Sequence, residues 1–148
     1  QMPLVAPADQ DKLRESFEEM ARSVRVLFFT QALDCEPGVQ TKQILDEMPL
    51  LSDKIACEEV NVILEKDKAA QYGIERVPAL ALLGADAAGE MRDTRMRFLG
   101  TPSGYEFVSL VQAVMLAGGP DSQLTPKNRA LVEAVTQPTS LQVLSTRT

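Results

Sequence analysis

Residues 28–45 read FFTQALDCEPGVQTKQIL, and the reading of this stretch decides the fold. It begins inside VRVLFFT, residues 24–30, a β-branched and aromatic run that predicts a strand. A short polar turn follows, then a lone cysteine, Cys35, and then a helix with Pro37 in its first turn. Proline suits that position, because the N–H it lacks would have had no intrahelical partner there. The run Cys35-Glu36-Pro37-Gly38 puts a glycine where a C-x-x-C pair would carry its second sulfur. The stretch is thus a strand, a turn and a helix built around one thiol.

Working outward, PADQDKLRESFEEMARS predicts an amphipathic helix with Asp9 as N-cap and Leu13, Phe17 and Met20 along one face. Val39, Ile44, Leu45 and Met48 share a side of the helix that follows Cys35. KIACEEVNVIL predicts a second strand, and EKDKAAQYG a short helix stopped by Gly73. PALALLGA is a third strand, AGEMRDTRMRFLG a turn and a fourth, and SGYEFVSLVQAVMLAGG an apolar-faced helix ending at Gly118-Gly119. Helix-separated strands near the start imply a parallel β-α-β unit, whereas the last two strands, joined by a short turn, should be antiparallel. The expected class is α/β and thioredoxin-like: a mixed sheet with helices on both faces, plus an extra N-terminal helix.

After GGPDSQ, LTPKNRALVEAVTQ predicts another helix and TSLQVLSTRT another strand. A helix followed by a strand is also how the chain starts. The expected division is therefore residues 9–120 as one thioredoxin-like domain and residues 121–148 as the opening of a second unit. A strand at SLQVL without its own sheet would be a bare edge. It is expected to add to the sheet, pack on the body, or swap into a homodimer.

Composition narrows the chemistry. The chain has 148 residues, 45% hydrophobic and 24% charged, which is globular rather than disordered composition. Its net charge of -6 argues against a nucleic-acid surface. Histidine is absent, which removes Ser-His-Asp and Cys-His catalysis and His-containing zinc sites. The two cysteines, Cys35 and Cys57, cannot close a four-ligand zinc site, and neither a metal nor a cofactor is expected. No run approaches the ~18 apolar residues of a membrane span. No basic segment leads into an apolar core at the N-terminus, so a cytoplasmic location is expected.

Cys35 stands where a strand gives way to a helix, and unpaired N–H groups at such a place favour a thiolate. Asp34 and Glu36 flank it and oppose the thiolate, and no basic residue is near in sequence. Both a reactive thiol and an inert one remain open on these grounds. A disulfide with Cys57 would need Cα atoms within about 7 Å, which a strand-top cysteine and one inside a neighbouring strand rarely meet. Cys57 is expected to be a small buried hydrophobe. In ERVPAL, Pro78 can sit at a strand's first position without losing a ladder bond, and Val77–Pro78 can be cis. The Val77 N–H and C=O would then face the Cys35 turn and could pair with an extended peptide. In FLGTPSGYEF, Ser103 and Glu106 form a capping box, and Tyr105 and Phe107 are expected to pack. Glu18/Glu19 and Glu58/Glu59 are read as solvated charges.

The stretches LSDKI, EKDKAAQYGIERVPAL and RFLGTPSGYEF resemble the first unit of the two-unit, glutaredoxin-like protein disulfide oxidoreductases. FLGTPSGYEFVSLVQAVMLAGG is similar to the N-terminal domain of the flavoprotein subunit of alkyl hydroperoxide reductase. The resemblance covers roughly residues 9–146. It implies that Cys35 matches the nucleophilic cysteine, that Gly38 departs from the resolving one, and that Pro78 matches the cis-proline. In the reductase-type domain the working C-x-x-C lies in the second unit. The implied role is a structural or docking half that serves a downstream redox unit or a partner's thiol or disulfide. Two alternatives stand beside it: monothiol, glutaredoxin-like activity at Cys35, with glutathione or a protein disulfide as partner, and a peptide-binding module that uses the Val77–Pro78 groove.

Overall fold

β1 (Val24–Thr30) is the strand expected from the sequence, and every residue of it except Arg25 is buried. The computed structural model describes residues 6–31, 39–100, 105–119 and 124–144. Around β1 it sets α1 (Pro7–Glu18), α2 (Val39–Leu51), β2 (Ile55–Asn61), α3 (Lys66–Gln71), β3 (Ala79–Ala85), β4 (Met91–Leu99), α4 (Tyr105–Gly118) and α5 (Pro126–Glu133). The sheet order is β2-β1-β3-β4. β1 runs parallel to β2 and antiparallel to β3, and β3 runs antiparallel to β4.

Burial follows sheet position. β3 is buried at all seven positions, which is why ALALLGA is a continuous apolar run. β2 and β4, at the edges, mix buried or half-buried positions with exposed ones. On one face, Phe17 of α1, Ile44 and Met48 of α2, and Leu110 and Val114 of α4 pack on Val26, Phe28, Leu80 and Leu82. On the other face, Ala69 of α3 packs with Leu27, Phe29, Val60, Ala79 and Ala81. The mixed sheet with helices on both faces is the expected architecture.

Two glycines let α4 approach closely. A Cβ at Gly84 would lie 2.6 Å from the Ala117 carbonyl oxygen, and one at Gly118 would lie 2.9 Å from the Arg22 carbonyl oxygen. The Gly118 carbonyl accepts the Ala21 and Arg22 N–H groups, both at 2.9 Å, tying the end of α4 to the entry of β1.

Three expectations are corrected. The N-cap of α1 is Ala6, not Asp9, because Pro7 takes the first helical position and leaves Asp9 inside the first turn. The Glu58/Glu59 pair is partnered rather than merely solvated. Glu58 pairs with Lys68 of α3 at 2.9 Å, and Glu59 accepts from the Thr30 hydroxyl at 3.1 Å. The C-terminal helix forms, capped by Thr125, but residues 139–144 join no strand ladder among the described residues. Leu141, Val143 and Leu144 are 88–93% exposed, so this segment neither extends the sheet nor packs on the body. An isolated extended segment has no ladder partner to make it a strand.

Candidate functional site

The candidate site gathers where β1 ends and β3 begins. Phe29 pairs with Ala79 in the antiparallel ladder, so Val77 and Pro78 lie just beyond it, next to the end of β1. The Val77–Pro78 bond is cis, as expected. Pro78 is exposed and Val77 is half-buried against the Leu27 and Phe29 cluster. The Pro78 carbonyl accepts the Gly100 N–H at 2.8 Å, at the end of β4. Gly100 has φ +91, a left-handed conformation that glycine adopts without strain. The Val77 N–H and C=O have no hydrogen-bond partner among the described residues. Leu99, opposite Ala79, is 65% exposed and adds apolar surface next to Pro78.

The approach to this edge is firmly built. α3 ends in a Schellman arrangement, with the Gly73 N–H on the Ala70 carbonyl at 3.1 Å and the Ile74 N–H on the Ala69 carbonyl at 2.9 Å. Gly73, at φ +65, supplies the left-handed residue that this cap needs. The carbonyl of the C-cap residue Tyr72 accepts Arg97 Nη2–H at 3.1 Å and Nε–H at 3.3 Å. A cation there also meets the negative end of the helix dipole. Arg97 lies 5.8 Å from the Tyr72 ring centroid, and that ring meets Phe29 of β1 at 6.0 Å. Asp93 receives Arg97 in a two-pronged pair at 2.7 and 2.8 Å. This bond, with the Arg95 N–H, holds the Asp93 carboxyl below the usual carboxylate range.

Sequence reading missed the Asp93–Arg97–Tyr72 link. Nothing in AGEMRDTRMRFLG marks it, because residues four apart in a regular strand stand about 13 Å apart. A bulge closes the gap: Leu83 pairs with Asp93 and Ala81 with Arg97, so residues 94–96 lie across from Leu82 alone. Arg95, at φ 67, takes the tight corner, and the Thr94 hydroxyl donates to the Leu82 carbonyl at 2.7 Å.

Cys35, together with Asp34, Glu36, Pro37 and Gly38, lies outside the described residues, as does Ser103 of the expected capping box. Cys57 is half-buried and packs against the α1/α2/α4 side of the sheet. Burial pushes its thiol up to about 12, so it is a protonated, inert sulfur at neutral pH. It pairs with Val26, four residues and about 13 Å short of the end of β1 at Thr30. Among the described residues no group of three or more cysteine, aspartate or glutamate side chains converges in a metal-holding set. No described helix is long and apolar enough to cross a membrane.

A β2-β1-β3-β4 sheet covered on both faces, with a cis-proline leading into β3, defines a thioredoxin-fold domain. Comparison with known proteins agrees. The chain is 30% identical over 74 residues to the probable thioredoxin of Methanothermobacter thermautotrophicus, an overlap of 49% of this chain and 75% of that protein. The chain belongs to the thioredoxin family. It is 31% identical to the N-terminal domain of the alkylhydroperoxide reductase AhpF from Enterococcus faecalis, with a TM-score of 0.76. That match covers 90% of this chain, which spans only 62% of the other. A protein disulfide oxidoreductase from Aeropyrum pernix shares the fold at 23% identity and a TM-score of 0.63, over 90% of this chain and 56% of that one. No protein-family model matches the chain.

Proposed function

We propose that this chain is the structural and docking half of a thiol–disulfide electron-transfer protein, a unit that receives a redox partner but has no dithiol of its own. The observation that carries the docking role is the Val77 edge. An N–H and a C=O without partners among the described residues lie beside exposed Pro78 and Leu99, where β1 ends and β3 begins. An extended backbone can add to such an edge through main-chain hydrogen bonds. Gly38 in the fourth position of Cys35-Glu36-Pro37-Gly38 supports the second half of the reading, since a mixed disulfide at Cys35 would have no neighbouring thiol to resolve it. Cys57, protonated and half-buried within the edge strand β2, supplies no substitute.

In this reading residues 9–120 form the docking unit for a redox partner and residues 121–148 open a second thioredoxin-like unit. The similarity to the reductase's N-terminal domain supports this division, and the exposed apolar side chains of residues 124–144 are surface for that second unit to cover.

The test is a disulfide-reduction assay with dithiothreitol as reductant, comparing the native chain with Gly38→Cys. No turnover by the native chain, with turnover gained on completing Cys-Glu-Pro-Cys, supports the reading. Turnover by the native chain sinks it. Glutathione-dependent turnover that disappears in Cys35→Ser would assign the chain a monothiol activity instead.

A further inference from the structure

Arg97 is committed wholly to this protein. Its guanidinium has five N–H donors. Nε and Nη2 donate to the Tyr72 carbonyl at 3.3 and 3.1 Å, Nη2 and Nη1 to the Asp93 carboxylate at 2.7 and 2.8 Å, and Nη1 to the Met96 carbonyl at 3.1 Å. Those contacts equal the donors, so Arg97 has none left for a ligand. Its consequence lies in what it holds in place.

Tyr72 closes α3, and Ala79 begins β3. The six residues between them, 73–78, include the Val77 edge, and β4 with the residue that follows it, Gly100, grips this segment at both ends. Arg97 holds the Tyr72 carbonyl at the start, and the Gly100 N–H holds the Pro78 carbonyl at the finish. The bulge at residues 94–96 is what brings Asp93 alongside Arg97, and the Asp93 carboxylate fixes the plane of the guanidinium.

We infer that Arg97 is a positioning residue for the Val77 docking edge: by clamping the Tyr72 carbonyl to β4, it sets where the Val77 N–H and C=O meet an incoming extended backbone. The inference rests on the docking role proposed for Val77. It also gives the bulge a purpose, since a regular β4 would leave Asp93 and Arg97 too far apart to form the clamp. Lysine is not a substitute, because three donors on one nitrogen cannot reach Tyr72, Asp93 and Met96 together.

The experiment uses the full chain and three variants, Arg97→Gln, Arg97→Lys and Asp93→Asn, at a temperature where all are fully folded by circular dichroism. Three quantities are read: amide hydrogen exchange at Gly73 and Ile74, the Val77 amide chemical shift, and the affinity for a ten-residue peptide of alternating valine and serine with a lysine at each end. In Arg97→Gln, exchange at Gly73 and Ile74 should rise about tenfold, the Val77 amide resonance should move, and peptide affinity should fall about tenfold. Arg97→Lys should recover only part of each, and Asp93→Asn should fall between. Peptide binding by the native chain that Arg97→Gln leaves unchanged overturns the assignment of Arg97 alone. No binding by the native chain overturns the docking role of Val77, and with it the purpose given to Arg97.

Discussion

Asp93 and Arg97 stand four residues apart in β4 yet form a two-pronged ion pair at 2.7 and 2.8 Å. The bulge that joins them lifts residues 94–96 out of the ladder opposite Leu82. Both side chains are partly shielded, Arg97 at 22% and Asp93 at 32% exposure, so the pair is stronger than a fully solvated one but well short of a buried one.

That geometry makes stability depend on acid. The folded Asp93 carboxyl titrates below its ordinary value, mainly through the Arg97 hydrogen bond. Its contribution is therefore fully present above the unfolded value of about 3.9 and is lost as pH falls through the lower folded value. Asp93→Asn should cost roughly 1 kcal/mol at pH 7. Urea titrations of both proteins should show that difference shrinking below about pH 4.

Gly84 sits where α4 touches β3. A methyl group there would come within 2.6 Å of the Ala117 carbonyl oxygen, a backbone atom that cannot swing aside. Gly84→Ala should therefore destabilise by about 2 kcal/mol despite the small size of the change. A thermal melt several degrees below the native one checks this, and an unchanged melt would mean that α4 shifts freely on the sheet.

The two thiols should separate by reactivity. With its thiol pushed up to about 12, Cys57 should alkylate in Cys35→Ser on the order of a thousandfold more slowly than a free thiol of pKa about 8.5. Unfolding in guanidinium should restore the ordinary rate. The remaining alkylation of the native chain then reports Cys35 alone, and its pH profile shows whether the helix end or the flanking Asp34 and Glu36 dominates.

Phe28 is fully buried among Val26, Leu80, Leu82 and the helices of one face. Phe28→Ala should cost about 3–5 kcal/mol through lost burial and the cavity left behind. Leu141→Ala, at a side chain 88% exposed, should change the melt by less than about 0.5 kcal/mol. A large effect at Leu141 would mean that the C-terminal segment packs on the body or on a second copy of the chain.

Local chemistry made much of this legible in the sequence. The apolar runs VLFF, residues 26–29, and ALALLGA reflect two central strands covered on both faces. Gly73 marked the end of α3 because a left-handed cap favours glycine, and Pro78 marked the start of β3 because the ladder needs no N–H there. These features act over a few residues, and local residue order alone carries them. The β2-β1-β3-β4 order, the partners of Glu58 and Glu59, the close contact at Gly84 and the Arg97 clamp were decided only in three dimensions. Each depends on a register or a bulge that brings together residues distant along the chain, and spacing in the sequence carries no record of that.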